Sequence, residues 1–415
     1  VHLLNTILVA VVALTGLNFS LQQSLALTQL LIPVVIACCG LSVVRQVLLV
    51  GELPNTLWYF MVTTLVSGVV YGSCVLAFEG NLQLLMDAEF LKVMARFSLI
   101  SCAFLFSYLQ DWTSRTLQST VSALFAALLS YLIFRKLTGG MADGFIVEKF
   151  HSNQLGIMGV VATFYGWLFL MNGINPWIAG LTIVPGVAGT IVSNSRGAWL
   201  CLGLFVAFFL IQATLRMTIA SRLTTFPLVI GFCLTTILGY VAWTESEQAR
   251  NLSRISEEMI GKPLDTGRAN LWKMAADEFR ESPWIGVGLY SHESWTRKLK
   301  TGSSIRLSVH SYYWAILHEA GIIGLAAVLA VFGNVWYLVV VSRRESASHL
   351  TLAFFAAVLV QQISEVQLST GTFTIGTSIW MAIAAGASLA NRMSDPGYRV
   401  HVSGIQDDAA GILGP

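Results

Sequence analysis

Charge is what this sequence has little of. Only 11% of its 415 residues are Asp, Glu, Lys or Arg, and mean hydropathy is +0.70. A soluble chain of this length would carry about a quarter charged residues, so an ordinary soluble domain is excluded. Six cysteines all fall inside apolar runs, which leaves neither a disulfide framework nor zinc-ligand spacing. HExxH, a serine nucleophile elbow and a phosphate-binding P-loop are all missing. Gly286 and Gly288 follow no strand signal and lack GxGxxG spacing, so they read as a backbone turn. No segment repeats, and no pair of broken half-helices sits at matching positions, as a transporter would show. The net charge of +2 offers nothing to nucleic acid or another polyanion.

Long hydrophobic runs are abundant. Twelve are long enough to cross the roughly 30 Å hydrocarbon layer: about 3–20, 25–43, 57–78, 93–110, 116–137, 153–172, 175–192, 197–213, 224–243, 311–341, 349–365 and 372–390. They are continuously apolar rather than alternating, so they predict helices and not a β-barrel. The expected fold is therefore an all-α polytopic membrane protein with about twelve transmembrane helices and one large, mainly helical periplasmic loop. The first run has no basic leader or small-residue cleavage site and reads as a retained span. Basic residues of the connectors divide eight to six in favour of cytoplasmic termini, although Arg135-Lys136 cuts against that orientation. With twelve spans, this orientation turns the long loop outward. The organisation expected is 1–243 for nine spans, 244–310 for the loop, 311–390 for three spans and 391–415 for a cytoplasmic tail.

The loop concentrates what charge there is: Thr244 to His310 holds 19 of the 46 formal charges. Within it Thr244–Ile260 reads as a charge-rich surface helix, and Lys262 to Gly267 as a turn. A helix is expected from Thr266 to Glu281, with Asp265 as N-cap and Ser282-Pro283 as the stop. Arg268, Trp272, Ala275 and Phe279 then share one face, and Arg268 sits in the first turn, where the helix dipole favours an anion. Arg196 follows Ser195, a candidate N-cap, at the start of another helix. An arginine there can hold a phosphate bidentately; the plain alternative is a boundary arginine reaching toward lipid headgroups. For Arg268 the plain alternative is a solvated helix face. His310 opens Val309-His310-Ser311-Tyr312-Tyr313-Trp314, where the loop re-enters the apolar run. A neutral imidazole can take a proton from an attacking hydroxyl; the alternative is an interfacial histidine among belt aromatics. Glu319 lies deeper in the same run, an expensive place for a carboxylate. At nine residues from His310 it faces the other way, so it is assigned to helix packing or a polar neighbour. The remaining histidines, apart from His318, read as surface or boundary residues.

These motifs occur in a recognisable order. Ser195-Arg196-Gly197-Ala198-Trp199 comes first. Gly267-Arg268-Ala269-Asn270-Leu271-Trp272 follows, with Ser282-Pro283-Trp284-Ile285-Gly286-Val287-Gly288. His310-Ser311-Tyr312, leading to Glu319-Ala320-Gly321, completes the set. The order resembles the bacterial O-antigen ligase/polymerase superfamily, although many members carry asparagine where Ser311 stands. The resemblance implies a GT-C-like glycosyltransferase of the Gram-negative inner membrane. Its donor would be an undecaprenyl-diphosphate-linked O-polysaccharide and its acceptor lipid A–core oligosaccharide, with membrane lipids around it. It also implies that Arg196 and Arg268 hold the diphosphate and that His310 is catalytic, with Ser195, Trp272, Tyr312 and Glu319 in support. Residues 18–24, the outer loop where metal-dependent lipid-linked glycosyltransferases place acidic ligands, have no carboxylate. Neither metal nor cofactor is therefore expected. Polymerases of the superfamily show two substantial outer loops where this chain has one. Protein O-oligosaccharyltransferases extend further beyond the last spans. Both remain alternatives, and a lipid-linked glycan transporter is the alternative of another class.

Overall fold

A computed structural model describes residues 25–50, 53–79, 88–138, 152–215, 218–244, 251, 254, 268–288, 296–298, 304–306, 309–342, 345–368 and 375–392. The expected first span, most of the Thr244–Ile260 helix, the Asp265 cap with its preceding turn, and the tail beyond Arg392 lie outside these residues. The described elements are α1 (Leu25–Val50), α2 (Asn55–Glu79), α3 (Ala88–Tyr108), α4 (Arg115–Leu137), α5 (Ser152–Met171), α6 (Pro176–Val192), α7 (Arg196–Leu215) and α8 (Ile219–Thr244). They continue with α9 (Arg268–Glu281), β1 (Thr296–Lys298), β2 (Ser304–Arg306), α10 (Tyr312–Val340), α11 (Glu345–Gln361) and α12 (Ile375–Arg392). The strands form a short antiparallel ribbon with Arg297 opposite Ile305. Everything else that is regular is helical.

Seven of these helices are long and apolar enough to cross a membrane, and four shorter apolar helices accompany them. Eleven of the twelve expected runs coincide with a described helix. Nearly every described residue of α11 and α12 is buried, while α7 and α8 leave much of their surface exposed. That contrast puts α11 and α12 at the centre of the bundle and α7 and α8 on its outside, against lipid. Around the centre, α2 packs on α10, α7 on α11, and α3 on α12. His349, expected at a surface or boundary, is 8% exposed in the second turn of α11.

Small residues let α5 and α6 approach until their backbones touch. A Cβ added at Gly159 would lie 2.3 Å from the Gly186 carbonyl oxygen, and one at Gly186 would lie 2.8 Å from that of Gly159. Thr190 Oγ1 donates across the same seam to the Gly156 carbonyl at 3.1 Å. Close backbone contact of this kind is how helices hold together where lipid is as apolar as leucine.

One expected span is not a single helix. Within α10, Gly321 has φ 63° and ψ −160°, so the helix is broken between Ala320 and Ile322. The segment after α9 fills the break. Ile322 and Ile323 N–H groups donate to the carbonyls of Pro283 and Trp284 at 2.9 and 3.1 Å. In return, Val287 and Gly288 N–H groups donate to the carbonyls of His318 and Glu319 at 2.8 and 3.1 Å. Irregular backbone is tolerated at membrane depth when protein partners satisfy it. Beside the break, His318 Nε2 pairs with Glu278 Oε2, joining α10 to α9 a second time.

Candidate active site

Four helices begin beside one turn. The turn is residues 362–365, immediately after α11. The buried Gln362 side chain fixes it, because its Oε1 accepts from the backbone N–H groups of Gln367 and Leu368 at 2.9 and 3.0 Å. The Tyr312 N–H, at the start of α10, is shared by the carbonyls of Gln362 and Glu365, both at 3.0 Å. From the start of α5, Asn153 Nδ2 donates to Glu365 Oε1 at 2.7 Å. From the start of α9, Arg268 Nη2 donates to the same oxygen at 3.1 Å. The start of α7 is close as well: a Cβ built on Gly197 would sit 3.7 Å from Ser364 Oγ and 3.9 Å from Glu365 Oε1. Helix N-termini carry partial positive charge and unpaired N–H groups. Gathering four of them with two arginines makes this end of the bundle suited to an anion.

The helices that open with Arg196 and Arg268 thus start beside the same turn, although separated in sequence. Arg196 is exposed. Ser195 caps its helix, with Oγ accepting from Ala198 N–H at 3.3 Å. Asn194, at φ 54°, makes the reversal that brings α7 back from α6. Arg268 is partly exposed, its side chain retaining 28% of its surface while that of Glu365 retains 11%. Burial raises the Glu365 carboxyl above the usual carboxylate range, and the Arg268 guanidinium draws it back down.

His310 stands two residues before α10, exposed, in the left-handed region at φ 52°. Trp272 reaches this segment from α9, its Nε1 donating to the Val309 carbonyl at 2.9 Å. Trp272 is therefore buried as a strut between the helix that carries Arg268 and Val309, the residue before His310. Replacing it with Phe removes one buried hydrogen bond, about 1 kcal/mol. The expected result is a lower unfolding temperature with helix content by circular dichroism unchanged.

Glu319 is elsewhere. It accepts from Tyr71 Oη at 2.8 Å and faces Arg96 Nη1 at 3.5 Å. With Tyr312 these residues line a small open-sided cleft whose other walls are apolar, among them Val93, Phe97, Ile316 and Val366. Tyr312, whose backbone N–H bonds the turn at 362–365, and Val366, the next residue after that turn, both line the cleft. Sequence reasoning did not find Glu365 or Asn153. The available signal was a carboxylate closing an apolar run, the same signal that singled out Glu319. Among the described residues, no three His, Cys, Asp or Glu side chains gather as a metal ion would require.

Residues 181–329 match a family model described as O-Antigen ligase, which supports the O-antigen ligase superfamily for that segment. No curated protein matches it. Arg196, Arg268 and His310 fall inside the matched segment; Asn153 and Glu365 fall outside it.

Proposed function

We propose that this protein is a metal-independent, inverting O-antigen ligase of the bacterial inner membrane, with its site on the periplasmic side. In this reading it transfers O-polysaccharide from undecaprenyl diphosphate to lipid A–core oligosaccharide. The observation that supports the reading is that four helices, those opening with Arg196 and Arg268 among them, start beside the turn at 362–365. A sugar diphosphate is already activated, and the barrier lies in the negative charge that develops on the departing diphosphate. Arg196 and Arg268 stabilise that charge; a preorganised donor of this kind contributes about 3 kcal/mol. His310 takes the proton of the acceptor hydroxyl as its oxygen attacks the anomeric carbon. The bond from that carbon to the diphosphate oxygen breaks, its electron pair leaves with the diphosphate, and the configuration inverts. Proton transfer to a placed base contributes on the order of 10²–10⁴-fold. Ser195 and Trp272 hold the two arginine-bearing helices in place, and Tyr312 fixes the start of α10.

The test is transfer by purified protein from carrier-linked polysaccharide to lipid A–core in the presence of chelator. Full activity there, with a loss of 10²-fold or more in His310→Ala, is the expected result. Strict dependence on added metal, or an unimpaired His310→Ala, refutes the reading. Polymerase activity remains the second reading within the superfamily. It predicts longer carrier-linked chains as product instead of glycosylated lipid A–core.

A further inference from the structure

Arg268 is paired with Glu365, and that partner is not one that releases easily. Glu365 is held from three sides: by Arg268, by Asn153 at 2.7 Å, and by a turn locked through buried Gln362. If Arg268 swings to another anion, Asn153 still donates to the carboxylate, so Glu365 stays in place. Breaking a buried pair is costly when it strands a charge; here the remaining partner lowers that cost. The guanidinium is also the more exposed member, at 28% against 11% for the carboxylate, and so is open to a ligand.

Resting on the diphosphate reading above, we infer that Glu365 is an internal competitor for Arg268 that limits how tightly the diphosphate is held and so promotes product release. The chemistry requires some such device. In the donor both ends of the diphosphate are esterified. Transfer frees one end, and a terminal phosphate with a pKa of about 6 adds close to one further negative charge. The clamp that lowers the barrier would consequently hold its product more tightly than its substrate. A fixed carboxylate touching Arg268, and within 4 Å of where a Gly197 side chain would start, opposes that retention by drawing the guanidinium back. Glu365 acts through Arg268 and is in this sense a positioning residue.

The experiment measures binding of inorganic pyrophosphate to the purified full-length protein in detergent, by calorimetry, with thermal unfolding as a check on folding. Glu365→Gln keeps the shape and the hydrogen-bond acceptor but removes the competing charge. It is expected to bind pyrophosphate about tenfold more tightly, the scale of one nearby unit charge at the protein surface. Glu365→Asp, with its charge drawn back by one methylene, is expected to shift binding the same way by a smaller factor. In turnover assays Glu365→Gln is expected to show stronger inhibition by undecaprenyl diphosphate. Unchanged or weaker pyrophosphate binding in both variants overturns the inference. Arg268→Ala separates this from the reading beneath it. If Arg268→Ala loses pyrophosphate while Glu365→Gln binds as the wild type does, only the competitor role falls. If Arg268→Ala binds as the wild type does, the diphosphate reading falls with it.

Discussion

Arg268→Ala is expected to reduce transfer by 10²–10³-fold, and cells that depend on it should accumulate polymerised donor on its carrier while surface lipid A–core stays bare. The magnitude follows from removing one preorganised donor to a developing anion, about 3–4 kcal/mol. Arg268→Lys distinguishes charge from geometry. An ammonium keeps the charge but cannot offer two parallel N–H groups, so it should recover only a small part of the activity. Full activity in the lysine variant would show that a diffuse positive charge suffices and that no bidentate clamp exists. A transport defect would look different again, trapping unpolymerised units on the cytoplasmic side.

Gly321→Ala is expected to have the largest effect on folding, about 3–5 kcal/mol. Its φ of 63° with ψ of −160° belongs to a region only glycine occupies without strain. A Cβ there would lie 2.4 Å from both the carbonyl carbon and the oxygen of Trp284, and 2.6 Å from Gly286 N. Backbone atoms on both sides cannot yield by a change of rotamer, so overpacking adds to the strain. Gly286 faces the same contact from the other side, its added Cβ 2.5 Å from Ala320 N. Thermal unfolding in detergent, with the yield of monodisperse protein, measures the effect. Gly203, whose added Cβ meets nothing within 4 Å, is the control; Gly203→Ala should leave the unfolding temperature almost unmoved. Equal behaviour of the two variants would show that the break in α10 does not contribute to stability.

The positions of the membrane helices were legible because a hydrocarbon layer imposes a length that composition reveals. So was α9, through its stop at Ser282-Pro283 and the face shared by Trp272 and Ala275, both of which are buried. The break at Gly321 was not. Ala320-Gly321-Ile322-Ile323-Gly324 is as apolar as its surroundings, and only the distant Pro283 to Gly288 segment makes the interruption affordable. Glu365 was hidden for a similar reason. Its partners Arg268 and Asn153 stand 97 and 212 residues away, and no local pattern announces a contact at that separation. Hydropathy gives the length of an element, whereas the pairing of polar groups between elements belongs to the tertiary structure.

The interleaving of residues 283–288 with α10 also bears on attempts to transplant parts of this protein. Four backbone hydrogen bonds join the two segments, and they lie about two helical turns below Tyr312. The polar region that follows α8 is for that reason no removable cassette. Grafting it from a homologue of different specificity would leave donors and acceptors of α10 open inside the bilayer unless residues 318–323 travelled with it. A chimaera should therefore exchange both segments as one unit.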